Sequence, residues 1–229
     1  MSESAEIRAN LDRVQAAIAS ACRRAGRAPE DVLLIAVSKT VEADRIRSGI
    51  EAGVRALGEN RVQEAKDKIE ALGRPVPWHL IGSLQTNKAK DAVRLFDWIH
   101  SVDRLDLARE LDRRAHAIGR TVNVLIEVNI GDEPQKAGVR PAELKALLDA
   151  VAGLPALRIR GLMAIPPVVE GAEQSRPAFR RLRELRNEAG LEHLSMGMSA
   201  DFEVAVEEGA TMVRVGTAIF GPRPARPTA

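Results

Sequence analysis

Short apolar runs recur along this chain, separated by segments of helical composition, and no other feature limits its fold as tightly. The runs are Val32 to Val37, Ala56-Leu57, Trp78 to Ile81, Trp98 to Val102, Val122 to Ile130, Leu157 to Met163, His193 to Ser195 and Met212 to Val215. Continuous apolar runs of this length mark strands covered on both faces. Each but the last is followed by a helical segment, and strands that alternate with helices pair in parallel, because parallel neighbours need crossovers. Eight such units in 229 residues predict an α/β protein with a closed (β/α)8 TIM barrel. An open doubly wound sheet is the alternative that periodicity alone leaves standing.

Ahead of the first run, Ile7, Leu11, Val14, Ala17, Ile18 and Ala21 lie three and four residues apart. That spacing predicts an extra N-terminal amphipathic helix over about 3–26, ending near Gly26. Prolines fall singly or as Pro166-Pro167 at a strand exit, so no linker is visible, and only 222–229 reads as a frayed tail. The expectation is one domain over 1–229. Hydrophobic residues at 45% and charged residues at 29% suit a soluble core. No apolar run approaches the roughly 20 residues of a membrane helix, and the N-terminus is unlike a signal peptide. The single cysteine, Cys22, has no disulfide partner, and four histidines share no metal-ligand spacing, so a reducing cytoplasm and no metal are expected. A net charge of +2 and 3% aromatic residues argue against nucleic acid or an anionic membrane as partner.

In such a barrel the chemistry sits at the C-terminal ends of the strands. The residues there are Ser38 and Lys39, Gly58-Glu59-Asn60, Gly82-Ser83, Asn129, Met163, Gly197-Met198-Ser199 and Gly216-Thr217. Lys39 stands out. A lysine stem packed among apolar groups favours the neutral amine, which can condense with a carbonyl; the plainer reading is a surface lysine snorkelling at a strand end. Gly216-Thr217 leads from the last strand into a short helix start, where backbone N–H groups, a hydroxyl and Ser199 nearby can hold a phosphate. Arg214 lies inside an apolar strand, so it must be paired, with Glu127 or Glu203 as candidates, or must face a ligand in a polar mouth. Arg180 to Arg186 reads as a solvated basic helix face, and Asn87 to Lys90, Asp132 and Lys136 carry no assigned role.

Six ordered segments now carry a resemblance: Ala36-Val-Ser-Lys-Thr40, Gly58-Glu-Asn-Arg-Val-Gln-Glu64, Trp78 to Lys88, Arg160-Gly-Leu-Met-Ala-Ile165, Ser195-Met-Gly-Met-Ser199 and Val213 to Gly221. In these the chain resembles the pyridoxal-phosphate homeostasis protein family (YggS/PROSC type), whose fold is similar to the barrel domain of alanine racemase, a fold-type III barrel. The resemblance implies pyridoxal 5′-phosphate, the vitamin B6 cofactor, held as an internal aldimine on Lys39. It further implies phosphate contacts from Ser199, Gly216 and Thr217, a contact to the pyridine nitrogen from Arg214, and Asn60 beside the ring. Two departures stand out: Arg61 where many relatives have tyrosine, and a C-terminal tail without the family's Arg-Asp-Tyr-like ending.

Because arginine donates and never accepts, a pyridine nitrogen facing Arg214 stays an unprotonated acceptor and the ring is a weak electron sink. The expected function is therefore a monomeric, non-catalytic carrier in pyridoxal-phosphate homeostasis, buffering the aldehyde and passing it to apo-enzymes. The alternative is an amino-acid racemase. Two-base racemisation needs an acid/base opposite Lys39, supplied in alanine racemase by a tyrosine from an additional domain. Here the sequence contains no tyrosine, and the residues after Gly221 are too few for a domain. A cofactor-free imine-forming aldolase acting on a sugar phosphate is a third reading of the same lysine.

Overall fold

The structure, a computed structural model, describes residues 3–222; most of the expected tail, 223–229, lies outside the described residues. Helix α1 (Glu3–Arg24) opens the chain, followed by β1 (Leu33–Val37), α2 (Ala43–Glu51), β2 (Leu57–Glu59), α3 (Val62–Leu72), β3 (Trp78–Leu80), α4 (Ala89–Leu95) and β4 (Trp98–Val102). The second half repeats the pattern with α5 (Leu105–His116), β5 (Val122–Glu127), α6 (Leu144–Ala152), β6 (Leu157–Met163), α7 (Arg176–Glu188), β7 (His193–Ser195), α8 (Phe202–Glu207), β8 (Met212–Val215) and α9 (Thr217–Phe220). All eight strands pair in parallel and in order. The barrel closes where β1 meets β8, with Leu33 opposite Met212 and Ile35 opposite Arg214. The closed barrel, not the open sheet, is the fold.

Helix α1 buries Ile7, Leu11, Val14, Ile18 and Ala21 of the expected stripe against α2, α8 and α9, with Ala17 partly buried and Cys22 buried beside them. Glu3 and Glu6 in its first turn and Arg23 and Arg24 in its last suit the helix dipole, and Gly26 leaves the helix at φ 65°, the left-handed exit that glycine makes cheaply. Within the stripe, the buried Asn10 donates through Nδ2 to the carbonyl of Ile219 at 3.0 Å, tying α1 to α9 beside the last strand. No helix among the described residues is long and apolar enough to cross a membrane.

The barrel has two apolar layers. The outer one joins strands to helices and contains the fully buried Trp78, Phe96, Phe179, Leu107 and Leu111; burying each such side chain contributes roughly 1.5–3 kcal/mol. The inner one is small: Ile35, Ala56, Leu125, Met163 and Met212, with Leu33 and Trp98 packed on it. Because side chains alternate along a strand, these inward positions predict their successors. Two residues above Ile35 and Val37 comes Lys39; above Ala56 and Gly58 comes Asn60; above Met212 come Arg214 and Gly216. The apolar floor therefore gives way, strand by strand, to a polar mouth.

Two strand limits differ from the sequence reading. β2 extends through Gly58 and Glu59 and begins at Leu57, so a run that looks like two apolar residues is three residues of strand ending in a buried carboxylate. β5 stops at Glu127, although apolar residues continue to Ile130. Val128 turns to bridge Val139, and Asn129 holds Glu133 at both ends, accepting from its N–H at 3.1 Å and donating to its carbonyl at 2.7 Å.

Candidate functional site

Lys39, Asn60, Ser199, Arg214, Gly216 and Thr217 line one cavity of about 290 Å³ at the C-terminal ends of the strands. Four different strands deliver them, β1, β2, β7 and β8. Ile165 and Met198, both partly exposed, add apolar wall. Lys39 is half-buried, and the chain turns sharply just after it: Thr40 has φ 62°. A β-branched residue in the left-handed region costs about 1–2 kcal/mol, so its surroundings must hold it there.

Ser199 and Thr217 are exposed at the rim, where hydroxyls can donate to an incoming anion. In α9 the amides of Ile219 and Phe220 reach back to the Gly216 carbonyl, and Gly221 to Thr217. As at any helix start, the amides ahead of them have no intrahelical acceptor. Gly216 lies close to β1: a Cβ there would sit 3.0 Å from the Val37 carbonyl oxygen, a tight contact. On the other side, Gly82 packs against the backbone of Asn60 so closely that a Cβ would lie 2.5 Å from its carbonyl oxygen, which sets Asn60 in place.

Arg214 forms the floor of the cavity and is 4% exposed. It donates through Nη1 to Ser195 Oγ at 2.6 Å and through Nη2 to the Ala164 carbonyl at 3.0 Å. Burial lowers its pKa to about 10, with Glu127 and Asp201 pulling the other way, so it is a cation at neutral pH. Three of its five N–H groups are not used by these bonds.

Behind Ser195 a hydrogen-bond chain crosses the barrel. His100 Nδ1 lies 2.9 Å from Ser195 Oγ, and His100 Nε2 lies 2.9 Å from His79 Nδ1. One proton order satisfies it best: Ser195 accepts from Arg214 and donates to His100, which donates to His79. His79 Nε2 then carries the terminal N–H and has no partner among the described residues. Its ring stacks on Trp98, with centroids 5.7 Å apart. Burial holds both histidines neutral, lowering His79 to about 3 and His100 well below the usual range, with His79 and Arg214 adding to the effect at His100. Neither is placed to exchange protons with solvent near neutrality.

Glu127, at the end of β5, is the other buried ionisable group here. Burial and Asp103 raise its pKa to about 7, with Arg214 opposing, and its Oε2 has no hydrogen-bond partner among the described residues.

Other sequence candidates fall elsewhere. Glu203 is not a partner of Arg214; it pairs with Arg24 at 3.0 Å on the outer surface. On α7, Arg180 and Arg183 bridge to the buried Glu208 at 3.3 Å and 2.9 Å, so that face is partly an ion network and not only solvated charge. Lys88 is exposed, in a single 3-10 turn before α4. Lys136 pairs with Glu133 at 2.6 Å and donates to the Pro166 carbonyl at 3.1 Å, latching the loop after β5 to the loop after β6. Among the described residues no three metal-ligating side chains are grouped. A larger cavity of about 460 Å³ lies beneath α1, but its lining is mostly apolar and includes none of the candidate residues.

The His79–His100–Ser195 chain is what sequence reasoning missed; Glu127, which the sequence offered as a partner of Arg214, acts on it by charge. The chain's signal was a polar side chain, His79, His100 or Ser195, inside each of three short strands.

Comparison with known proteins completes the picture. The family model described as "Alanine racemase, N-terminal domain" matches residues 6–224. The chain is 50% identical over 220 residues to the pyridoxal phosphate homeostasis protein of Aquifex aeolicus, covering 93% of this chain and 96% of that protein. It is 46% identical over 229 residues to the protein so named from Escherichia coli K12, covering 95% and 97%. Among solved structures, PipY of Synechococcus elongatus PCC7942, with PLP bound, superposes with a TM-score of 0.83 at 41% identity, covering 94% of this chain and 100% of that one. An alanine racemase of Clostridium difficile, 16% identical with a TM-score of 0.70, covers 98% of this chain and 59% of its own, and shares the fold.

Proposed function

The chain belongs to the alanine racemase N-terminal domain family and, within it, to the pyridoxal phosphate homeostasis proteins, and from that premise we propose that it is a cytoplasmic carrier of pyridoxal 5′-phosphate, bound covalently through Lys39. The observation that carries this reading is the convergence of an amine, a buried guanidinium, two hydroxyls and a helix start on one cavity of about 290 Å³. That size is near the lower end of small-molecule sites, roughly 300–1,000 Å³, and suits one small cofactor. We take residues 1–229 as a single domain acting as a monomer, with apo-enzymes of the same cofactor as recipients.

Each residue has a separate task. Lys39 supplies the nucleophile: its nitrogen bonds to the aldehyde carbon, the carbonyl oxygen leaves as water, and the linkage reverses by the same path. Ser199, Thr217 and the amides at the start of α9 hold the phosphate. Asn60 flanks the ring. Arg214 donates to the ring nitrogen, and because it remains a cation it does not hand that nitrogen a proton.

The cofactor's usual contribution is to withdraw electrons from a bound amine, and that depends on a protonated ring nitrogen. Arg214 therefore favours storage over catalysis. A racemase would need a second base across the ring from Lys39. His79 and His100 do not qualify, being buried and neutral behind Arg214.

The reading is tested by the absorbance spectrum on adding pyridoxal 5′-phosphate. Wild-type protein is expected to develop the visible imine band, and Lys39→Ala to lack it; a band that survives the substitution would remove Lys39 from the assignment.

A further inference from the structure

Lys39 sits between two residues that are both gripped by one buried ion cluster outside the cofactor cavity. Lys68, on α3, is 8% exposed and donates to three acceptors: the Ser38 carbonyl at 2.6 Å, Glu59 Oε1 at 2.7 Å and Glu64 Oε1 at 2.7 Å. An ammonium has three N–H groups, and all three are used. Ser38 Oγ donates to the same Glu59 oxygen at 2.6 Å, and the Thr40 N–H donates to the same Glu64 oxygen at 2.5 Å. The backbone immediately before Lys39 is thus held by Lys68 and Glu59, and the backbone immediately after it by Glu64.

This grip explains the left-handed Thr40. A threonine at φ 62° relaxes unless something fixes its amide, and the Glu64 carboxylate does so while Lys68 fixes the carboxylate. Glu59 is fully buried; burial raises its pKa while Lys68 and Ser38 pull it back. Glu64 differs: burial pushes it up, but hydrogen bonds from Lys68 and Thr40 outweigh that and hold it below the ordinary carboxylate range. Strand alternation accounts for the division of labour. Asn60 faces the cavity, while Glu59, one residue earlier, faces outward to α3 and reaches the Lys39 turn from behind.

We infer that Lys68, with Glu59 and Glu64, is a positioning group that aims Lys39 into the cavity and sets its reactivity toward electrophiles. The inference deepens the carrier reading and rests on it for the identity of the natural electrophile.

The test separates the two. In the apo-protein, competitive labelling with a trace of acetic anhydride, read by mass spectrometry of the Lys39 peptide, reports the reactivity of that amine without any cofactor. Lys68→Met and Glu64→Gln are compared with Lys90→Met, which removes an exposed lysine of α4. The expected result is a change of fivefold or more in Lys39 labelling relative to the other lysines for Lys68→Met, a smaller change in the same direction for Glu64→Gln, and none for Lys90→Met. Imine formation with pyridoxal 5′-phosphate should weaken in the same order, by tenfold or more for Lys68→Met. Wild-type labelling and imine affinity within twofold in both cluster variants would overturn the inference. If Lys68→Met does not fold, Glu64→Gln alone decides it. A wild-type protein that forms no imine, yet shows the labelling pattern, would sink the carrier reading and leave the positioning role intact.

Discussion

Arg214 Nη1 donates to Ser195 Oγ across 2.6 Å, and that bond directs every hydrogen bond behind it. Ser195 has one proton, and with its lone pairs facing a cation the proton goes to His100. Removing the hydroxyl leaves two buried groups, Arg214 Nη1 and His100 Nδ1, each short of a partner.

Ser195→Ala should therefore cost about 1–3 kcal/mol per orphaned buried group. At roughly 2–4 °C per kcal/mol for a chain of this size, the apo-protein should melt several degrees lower. Thermal denaturation checks this. An unchanged melting temperature would mean that water replaces the hydroxyl.

Glu127 makes a prediction about pH. Its folded pKa, about 7, lies above the ordinary 4.5 because of burial, so the folded protein binds a proton more readily than the unfolded chain. Its contribution to stability thus grows as pH falls from 7 toward 4.5, and above pH 7 it is a buried charge that weakens the fold. Glu127→Gln should raise the melting temperature at pH 8, by the equivalent of up to about 3 kcal/mol, with the gain shrinking to nothing near pH 4.5. Melting curves of both proteins across that range provide the check.

His79 acts with the opposite sign. Its folded pKa, about 3, lies below 6.5, so the unfolded chain takes the proton first and stability is lost as pH falls between those values. His100 adds to that loss, and Glu127 partly offsets it above pH 4.5. Acid unfolding of the wild type should steepen below about pH 4.5, where the offset ends. A urea-denaturation series at stepped pH reads the slope.

Ser199 and Thr217 should act on the phosphate and on nothing else. A Ser199→Ala/Thr217→Val double variant is expected to bind pyridoxal 5′-phosphate at least tenfold more weakly, since hydrogen bonds to a charged group contribute about 1.5–3 kcal/mol each. Its affinity for pyridoxal, which lacks the phosphate, should be unchanged. Titration of the imine band with both aldehydes distinguishes this from a general loss of the site.

Much of the barrel was legible because its signal is local. Each strand announced itself as an apolar run, the positions at the strand exits pointed to Lys39, Asn60 and Gly216, and Arg214 stood out as a charge inside an apolar strand; all four line one mouth. β2 was under-read because its last residues, Gly58 and Glu59, look like loop, although Glu59 is fully buried by its contacts with Lys68 and Ser38. β5 was over-read because Val128 is apolar for a different reason, its bridge to Val139. The hidden parts are long-range: His79 meets His100 across 21 residues, and His100 meets Ser195 across 95, with no spacing rule to link them. The single composition fact that gained force is the lack of tyrosine. It first counted against base stacking, and beside Lys39 it counts against a two-base racemase.

Storage without catalysis predicts that alanine or serine incubated in deuterated water with the loaded protein keeps its α-proton. Stereochemically defined exchange, followed by proton NMR, would favour the racemase instead.

The central claim, that Lys39 is the residue carrying the cofactor, is tested most directly by borohydride reduction of the protein incubated with pyridoxal 5′-phosphate, followed by peptide mapping. The account predicts one phosphopyridoxyl group per chain, on the peptide containing Lys39. Its appearance on another lysine instead, with Lys39 unmodified, would contradict it.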